Sequence, residues 1–314
     1  MKAGVANQTA AEGAKATRFD APLAWYFVVV WGSGYLASKI GLQYAAPFTF
    51  LALRFAFGIV CMVPIVIVTR PRWPRAPREW MHIVVAGLLM HAGNLGGSHY
   101  AQYLGMSAGI VALILATQPL LTALIMVFAP HGRRERLASR QWTGVAIGLA
   151  GVALVVWHKI DVRAVSGSSL AAAGIALVAI TAGTLYQRAF CRDADLRSAG
   201  LIQFTAAFLV LAPLAWSVEG FVVDWAWPMF AAIAFLVVFA SILAVNALHT
   251  LMRHGAATRV TSLLYLTPIV AVLLEWMMFD VVPTGLSVIG IAVTCTGVAL
   301  VTWNRRAPIT AAKS

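Results

Sequence analysis

The sequence predicts an all-α polytopic membrane protein, with ten transmembrane helices arranged as two inverted five-helix repeats and both termini cytoplasmic. Three observations carry this. Sixty-one percent of the 314 residues are hydrophobic and 11% are charged, more apolar surface than one water-bounded core of this length can bury. Apolar runs of about twenty residues recur, each long enough to cross a ~30 Å hydrocarbon core. The chain also repeats itself at an offset of 149 residues.

The apolar segments fall at about 23–41, 47–69, 80–101, 107–129, 141–158, 168–187, 198–217, 226–252, 257–279 and 284–303. In lipid each backbone polar group must be satisfied within its own segment, so each segment is read as a helix. None alternates with the period of a barrel strand. Residues 1–22 are polar and alanine-rich, without the apolar stretch of a signal peptide, and are expected to form a disordered cytoplasmic tail. Residues 304–314 form a second tail.

The loops set the orientation. Arg70, Arg72, Arg75 and Arg78 follow the second segment, Arg133, Arg134, Arg136 and Arg140 the fourth, and Arg188, Arg192 and Arg197 the sixth. Arg253 and Arg259 lie between the eighth and ninth, and six more basic residues lie in the tails. The opposite loops hold only Lys159 and Arg163. Nineteen basic residues against two is a strong positive-inside signal. It accounts for the net charge of +12 without nucleic acid as a partner. Cys61, Cys191 and Cys295 are widely spaced and indicate neither a disulfide framework nor a zinc site.

The repeat is clearest in two proline-centred segments, AGIVALILATQPLLTALIMVFA (108–129) and ATRVTSLLYLTPIVAVLLEWMMF (257–279). Pro119 and Pro268 stand at the offset, as do Pro64 and Pro213, and Phe55 and Phe204, while Arg54 falls opposite Gln203. After a three-residue gap GVALVVW (151–157) matches GVALVTW (297–303). Each copy holds five helices, an odd number, so the second must insert upside down. The copies are assigned to 23–158 and 168–303, joined by an external linker at 159–167. Inverted repeats are the architecture of secondary transporters, with the site near the midplane between the halves.

WGSGYLASKIGL (31–42), LRF (53–55), the two proline-centred segments and RERLASRQWTGVAIGLAGVAL (134–154) together resemble the EamA family of the drug/metabolite transporter superfamily. Glu135 matches the family's Gly-Glu-x-Leu-Thr turn, whereas the second copy has Val281 there. The resemblance implies a ten-helix carrier of the inner membrane that moves small metabolites or drugs by alternating access, often outward.

The polar residues inside the spans are the candidate site, because an ionisable group at the bilayer centre costs at least ~2.5–3.5 kcal/mol on insertion scales. Arg54 lies about two turns, ~10 Å, inside its helix, and its guanidinium suits an anionic or zwitterionic solute. The alternative is a structural arginine holding neighbouring carbonyls. Trp31, Tyr35 and Lys39 form one stripe at spacing four, either lining a cavity or packing, with Lys39 near enough to the helix end to snorkel. In the ninth segment Thr261, Tyr265, Pro268, Val272 and Glu275 form one seam, and its twin reads Ala112, Ala116, Pro119, Ala123 and Met126. The polar copy is expected to carry the site and the small-residue copy to accommodate it. Pro119 and Pro268 each release a carbonyl and bend the helix.

Glu275 is the proton-coupling candidate, set against a pair with Lys39 or Arg54 that only holds the bundle. His91 with Asn94, Asn246 with His249, and Gln118, Tyr186 and Gln203 complete the predicted substrate-binding set. The glycines of the fifth and tenth segments (Gly144, Gly148, Gly151, Gly290, Gly297) read as a packing face before a dimer contact, so a monomer or homodimer is expected. No cofactor and no metal is expected, since further ligands are missing at useful spacing. No paired acids, HExxH or Ser/Lys pattern supports an enzyme, and no nucleotide-binding loop supports ATP-driven pumping. The readings carried forward are export of a small polar metabolite such as an amino acid, efflux of cationic compounds, and a non-transporting membrane regulator.

Overall fold

The structure is a computed structural model that describes residues 20–128, 139–161, 165–244, 247 and 266–302. The predicted site residues Asn246, His249 and Tyr265, with Thr261 and Glu135, lie outside the described residues. The described residues are helical, apart from short connections and one isolated bridge between Ala45 and Val223.

The helices are α1 (Asp20–Gly41), α2 (Pro47–Thr69), α3 (Pro77–Gly87), α4 (Asn94–Tyr103), α5 (Ala108–Leu115), α6 (Gln118–Val127), α7 (Ser139–Asp161), α8 (Gly167–Phe190), α9 (Leu196–Glu219), α10 (Trp227–Ala234), α11 (Thr267–Phe279) and α12 (Gly285–Thr302). Among the described residues four stretches are long and apolar enough to cross a membrane by themselves: Pro47–Thr69, Ala108–Val127, Gly167–Phe190 and Leu196–Glu219. Large apolar side chains such as Val68, Trp216, Leu209 and Met277 point outward and are exposed. A water-bounded fold would bury them; a lipid-facing one has no reason to.

Local chemistry sets the boundaries. Pro47 opens α2, where a missing N–H costs nothing, and Arg70 closes it in the left-handed region at φ 44°. Ser107 accepts from the Ile110 amide at the start of α5. Ser166 and Ser169 form a reciprocal capping box on α8. Asp195 caps α9, which ends at Gly220 with φ 68°.

Three predicted helices depart from a regular α-helix. The segment expected as one helix over 107–129 divides at Ala116 and Thr117. Pro119 has no N–H for the Leu115 carbonyl, and just before it Thr117 turns both its amide (3.1 Å) and its hydroxyl (2.6 Å) to the Ile114 carbonyl. The following helix, α6, carries Pro119 as its second residue, and α11 carries Pro268 in the same place. The predicted third helix is continuous but passes through a π-helical stretch, Leu88–Gly93, between α3 and α4. A second π-helical stretch, Phe235–Leu243, continues α10. At the 149-residue offset the first falls inside the second.

The packing pairs the same offsets. α2 lies along α9, with Leu51, Phe55 and Met62 against Phe204, Ala207 and Leu211. Phe55 and Phe204, matched by the repeat, meet at a ring separation of 5.6 Å. α7 lies along α12, and there the glycines are indispensable. A Cβ on Gly297 would meet the backbone of Gly148 and Gly144, and one on Gly151 the backbone of Gly290 and Thr294. This glycine face is thus filled inside the chain. α1 packs on α10 and α11, and α8 on α3 and α4, where Gly93 and Gly97 admit Ala179, Ala172 and Ala176. α11 lies on α5, with Gly109 against Val272, so the proline-centred twins do face each other.

Candidate functional site

The centre of the bundle is polar on one face. Arg54 projects from α2 about two turns from its start and is 8% exposed. Among the described residues it donates one hydrogen bond, from Nη2 to Ser241 Oγ at 3.2 Å. Ser241 lies in the π-helical continuation of α10 and passes its own hydroxyl proton to the Leu236 carbonyl at 2.9 Å. Such stretches recur where a helix presents groups to a ligand.

Around the guanidinium stand His91, in the other π-helical stretch, and His99 on α4, both within reach of the Arg54 charge. His91 meets Phe55 and Phe204 edge-on at 5.5 and 5.2 Å and lies beside Gln203. His99 rests on Phe50 at 5.9 Å, with Ser98 Oγ at 3.4 Å from its Nδ1. Several buried atoms here have no hydrogen-bond partner among the described residues: Asn94 Oδ1, His99 Nε2, Gln203 Nε2 and both amide atoms of Gln102. A buried polar atom left unpaired costs about 1–3 kcal/mol, and native structures keep few of them. A group of them beside a lone guanidinium has the character of a ligand site.

No carboxylate belongs to this group. Of the chain's eleven acidic residues only Glu275 falls within the ten apolar segments, and it is used elsewhere. It sits on α11 at the predicted outer end, fully buried. Its Oε1 accepts from Lys39 Nζ at 2.6 Å and from the Ala108 amide at 3.1 Å, and its Oε2 from the Gly109 amide at 3.0 Å. Lys39 therefore does not snorkel, and its ammonium also lies 4.4 Å from the Phe279 ring centre. This is the one ion pair among the described residues, and it is the Lys39 pairing rather than the Arg54 one.

The other predicted residues separate. Gln118 donates to Thr184 on α8 at 2.9 Å, fastening α6 to α8. Tyr186 lies near the predicted inner end, where its hydroxyl is 2.7 Å from His82 Nδ1 and Phe190 stacks on the His82 ring. Trp31 is partly exposed and meets Phe27 at a tilt, and Tyr35 packs against the core around Met106 and Ile110. The structure thus brings together Arg54, His91 and Gln203 and adds His99 and Ser241, with Asn94 one turn from His91 and Gln102 one turn from His99 along the chain. His99 was findable at eight residues from His91, two turns along one face. Ser241 had no sequence signal, since a lone serine in an apolar run is unremarkable. Tyr26 and Thr267, on α1 and α11, add two buried hydroxyls without a partner among the described residues.

The EamA-like transporter family model matches residues 21–157 and again 161–303. This chain belongs to that family. A relative described as "Uncharacterized inner membrane transporter YedA" from Escherichia coli (strain K12) is 29% identical over 267 residues, covering 82% of this chain and 81% of its own. The "Probable amino-acid metabolite efflux pump" of the same organism is 25% identical over 298 residues, covering 90% and 94%. "Uncharacterized transporter YvbV" of Bacillus subtilis (strain 168) is 26% identical, covering 91% and 92%. A solved crystal structure superposes with a TM-score of 0.61 at 19% identity over 90% of this chain and 96% of that one, a likeness of fold alone. The protein is a multi-pass inner-membrane transporter of this family.

Proposed function

We propose that the protein exports a small carboxylate-bearing metabolite, an amino acid or a close relative, by alternating access between two inverted five-helix repeats, 23–158 and 168–303. In this reading the ten spans run between cytoplasmic tails, with 159–167 as an external linker and α7 and α12 at the periphery. The pairing of α2 with α9 and of α7 with α12, and the two π-helical stretches at one offset, support the repeat. The observation that carries the solute class is Arg54, a buried cation facing unpaired amide and imidazole atoms, while the one acid inside the spans, Glu275, is held by Lys39. A solute carboxylate supplies the missing charge and accepts from the guanidinium fork, while Asn94, Gln203 and Ser241 bind its polar remainder.

Efflux of lipophilic cations is the weaker reading, because a cation would meet Arg54 with no carboxylate at hand. Proton coupling, expected of Glu275 or a histidine, is assigned here to His91 or His99, since Glu275 already holds three partners. The test is transport by the full chain in proteoliposomes, offering neutral and acidic amino acids and a lipophilic cation, with and without a pH gradient. Saturable amino-acid transport lost in Arg54→Ala is expected. Cation transport that survives Arg54→Ala, with no amino acid carried, overturns the reading. Gradient dependence that disappears in Glu275→Gln but persists in His91→Gln and His99→Gln overturns the assignment of the proton.

A further inference from the structure

Among the described residues three contacts join the halves at the predicted outer end, and two of them are built alike. Glu219, at the end of α9, reaches the first turn of α2: it accepts from the Phe48 amide at 3.0 Å and from the Thr49 amide and hydroxyl at 2.7 Å each. Glu275, near the end of α11, does the same for the first turn of α5 and adds Lys39. Each carboxylate comes from the second repeat, and each satisfies amides that a helix start leaves without partners in the first. Beside them the Asp224 amide donates to the Tyr44 carbonyl at 2.8 Å, and Ala45 bridges Val223.

The repeat gives the inner end the same helices but not the same charges. Subtracting 149 puts Arg70 opposite Glu219 and Met126 opposite Glu275, and adding it puts Arg188 opposite Lys39. The cation position is kept and both carboxylates are gone. At the equivalent inner helix start, Asp195 caps its own helix through the Arg197 amide at 2.9 Å, and the cross-repeat link is a neutral one, Ser198 Oγ to the Arg72 carbonyl at 2.7 Å.

We infer that Glu219 and Glu275 are positioning residues for transport: they lock the outer gate, and their absence at the equivalent inner positions makes the outward-closed state the resting one. This rests on the inverted-repeat reading. A carrier so biased waits with its site toward the cytoplasm and opens outward only when both carboxylates leave their helix starts. Each helix start then relies on water for its amides, which is available at the outer surface. The bias is a difference between two states, so a change at either end shifts it.

The experiment uses the full chain in nanodiscs, with Cys61, Cys191 and Cys295 replaced by serine and spin labels at Gln43→Cys and Val282→Cys. Both positions are exposed, one on each side of the gate. Labelling of intact cells with an impermeant thiol reagent comes first. If neither cysteine reacts from outside, the topology fails and this proposal with it. If both react, the distance distribution decides the gate alone. A single short distance is expected in the parent, and Glu219→Gln with Glu275→Gln is expected to raise the ratio of long to short distances about ten-fold or more. Met126→Glu, which leaves both outer carboxylates in place and sets a carboxyl opposite Arg188 inside, is expected to shift the distribution the same way. If the double variant fails to fold, Glu219→Gln alone and Met126→Glu decide. Outer distances unmoved by them, with the topology confirmed, overturn the proposal.

Discussion

Replacing Arg54 separates a binding arginine from a structural one, because the two roles predict opposite signs. Arg54→Met removes a buried guanidinium that makes one hydrogen bond among the described residues, to Ser241 at 3.2 Å, and fills the space with an apolar chain of similar length. Keeping an unneutralised charge out of water costs several kcal/mol after relaxation, and one hydrogen bond from a charged donor returns about 1.5–3. The ligand-free variant should therefore unfold at the parent temperature or above it. Solute binding should move the other way. The charge-assisted bonds to a carboxylate are worth about 1.5–3 kcal/mol, which is about 10–150-fold in Kd. Arg54→Gln, which keeps a donor for Ser241 but no charge, should show that loss, and Arg54→Lys should recover part of it because it restores charge without the fork. The assay is thermal unfolding of purified protein across a solute titration. A ligand-free Arg54→Met that loses several degrees, with undiminished stabilisation by the solute, refutes the argument and makes Arg54 a helix tie.

Two glycines on different helices should respond oppositely to alanine. Gly297→Ala places its Cβ against the backbone of Gly148 and Gly144, so α7 and α12 must part and stability falls by about 1–3 kcal/mol. Gly174→Ala, within α8, meets nothing within 4 Å and should hold or gain stability, by up to about 1 kcal/mol. Thermal unfolding compares them, and size-exclusion chromatography with light scattering should show the same oligomeric state in both, since the glycine face is filled within the chain. Cys191, at the end of α8 on the predicted inner side, has its thiol pushed up by partial burial. Less thiolate is then present at neutral pH, so maleimide should react more slowly than with a free thiol and accelerate as pH rises further into the alkaline range than usual. Mass spectrometry across pH checks this, and inverted vesicles should react where intact cells do not.

Much of the fold was legible because lipid removes alternatives. A twenty-residue apolar run in a bilayer has only the helix open to it, and the prolines and phenylalanines at one offset exposed the duplication before any contact was known. The offset then reappeared as geometry, in Pro119 and Pro268 as second residues of α6 and α11 and in the tilted ring contact of Phe55 with Phe204. The break at Thr117 was foreshadowed only as a bend, because whether a proline kinks or ends a helix depends on how the turn before it is satisfied, and here the Thr117 amide and hydroxyl both close on the Ile114 carbonyl.

The site was legible in kind and less so in membership. Arg54, His91, Asn94 and Gln203 were readable as costly groups in an apolar setting, and Arg54, His91 and Gln203 lie together, with Asn94 one turn from His91. Gln118 and Tyr186 looked the same in sequence but pair with Thr184 and His82. Helical periodicity gives the face of a residue within its own helix and says nothing about which helix comes to meet it. That limit is sharpest at Glu275. The sequence alone determined that one carboxyl lies within the spans and that Met126 stands where a second would be. Only the tertiary structure decided that this carboxyl is held by Lys39 and the first amides of α5, because an ion pair across 236 residues is fixed by the crossing of α1, α5 and α11, and no local pattern encodes that crossing.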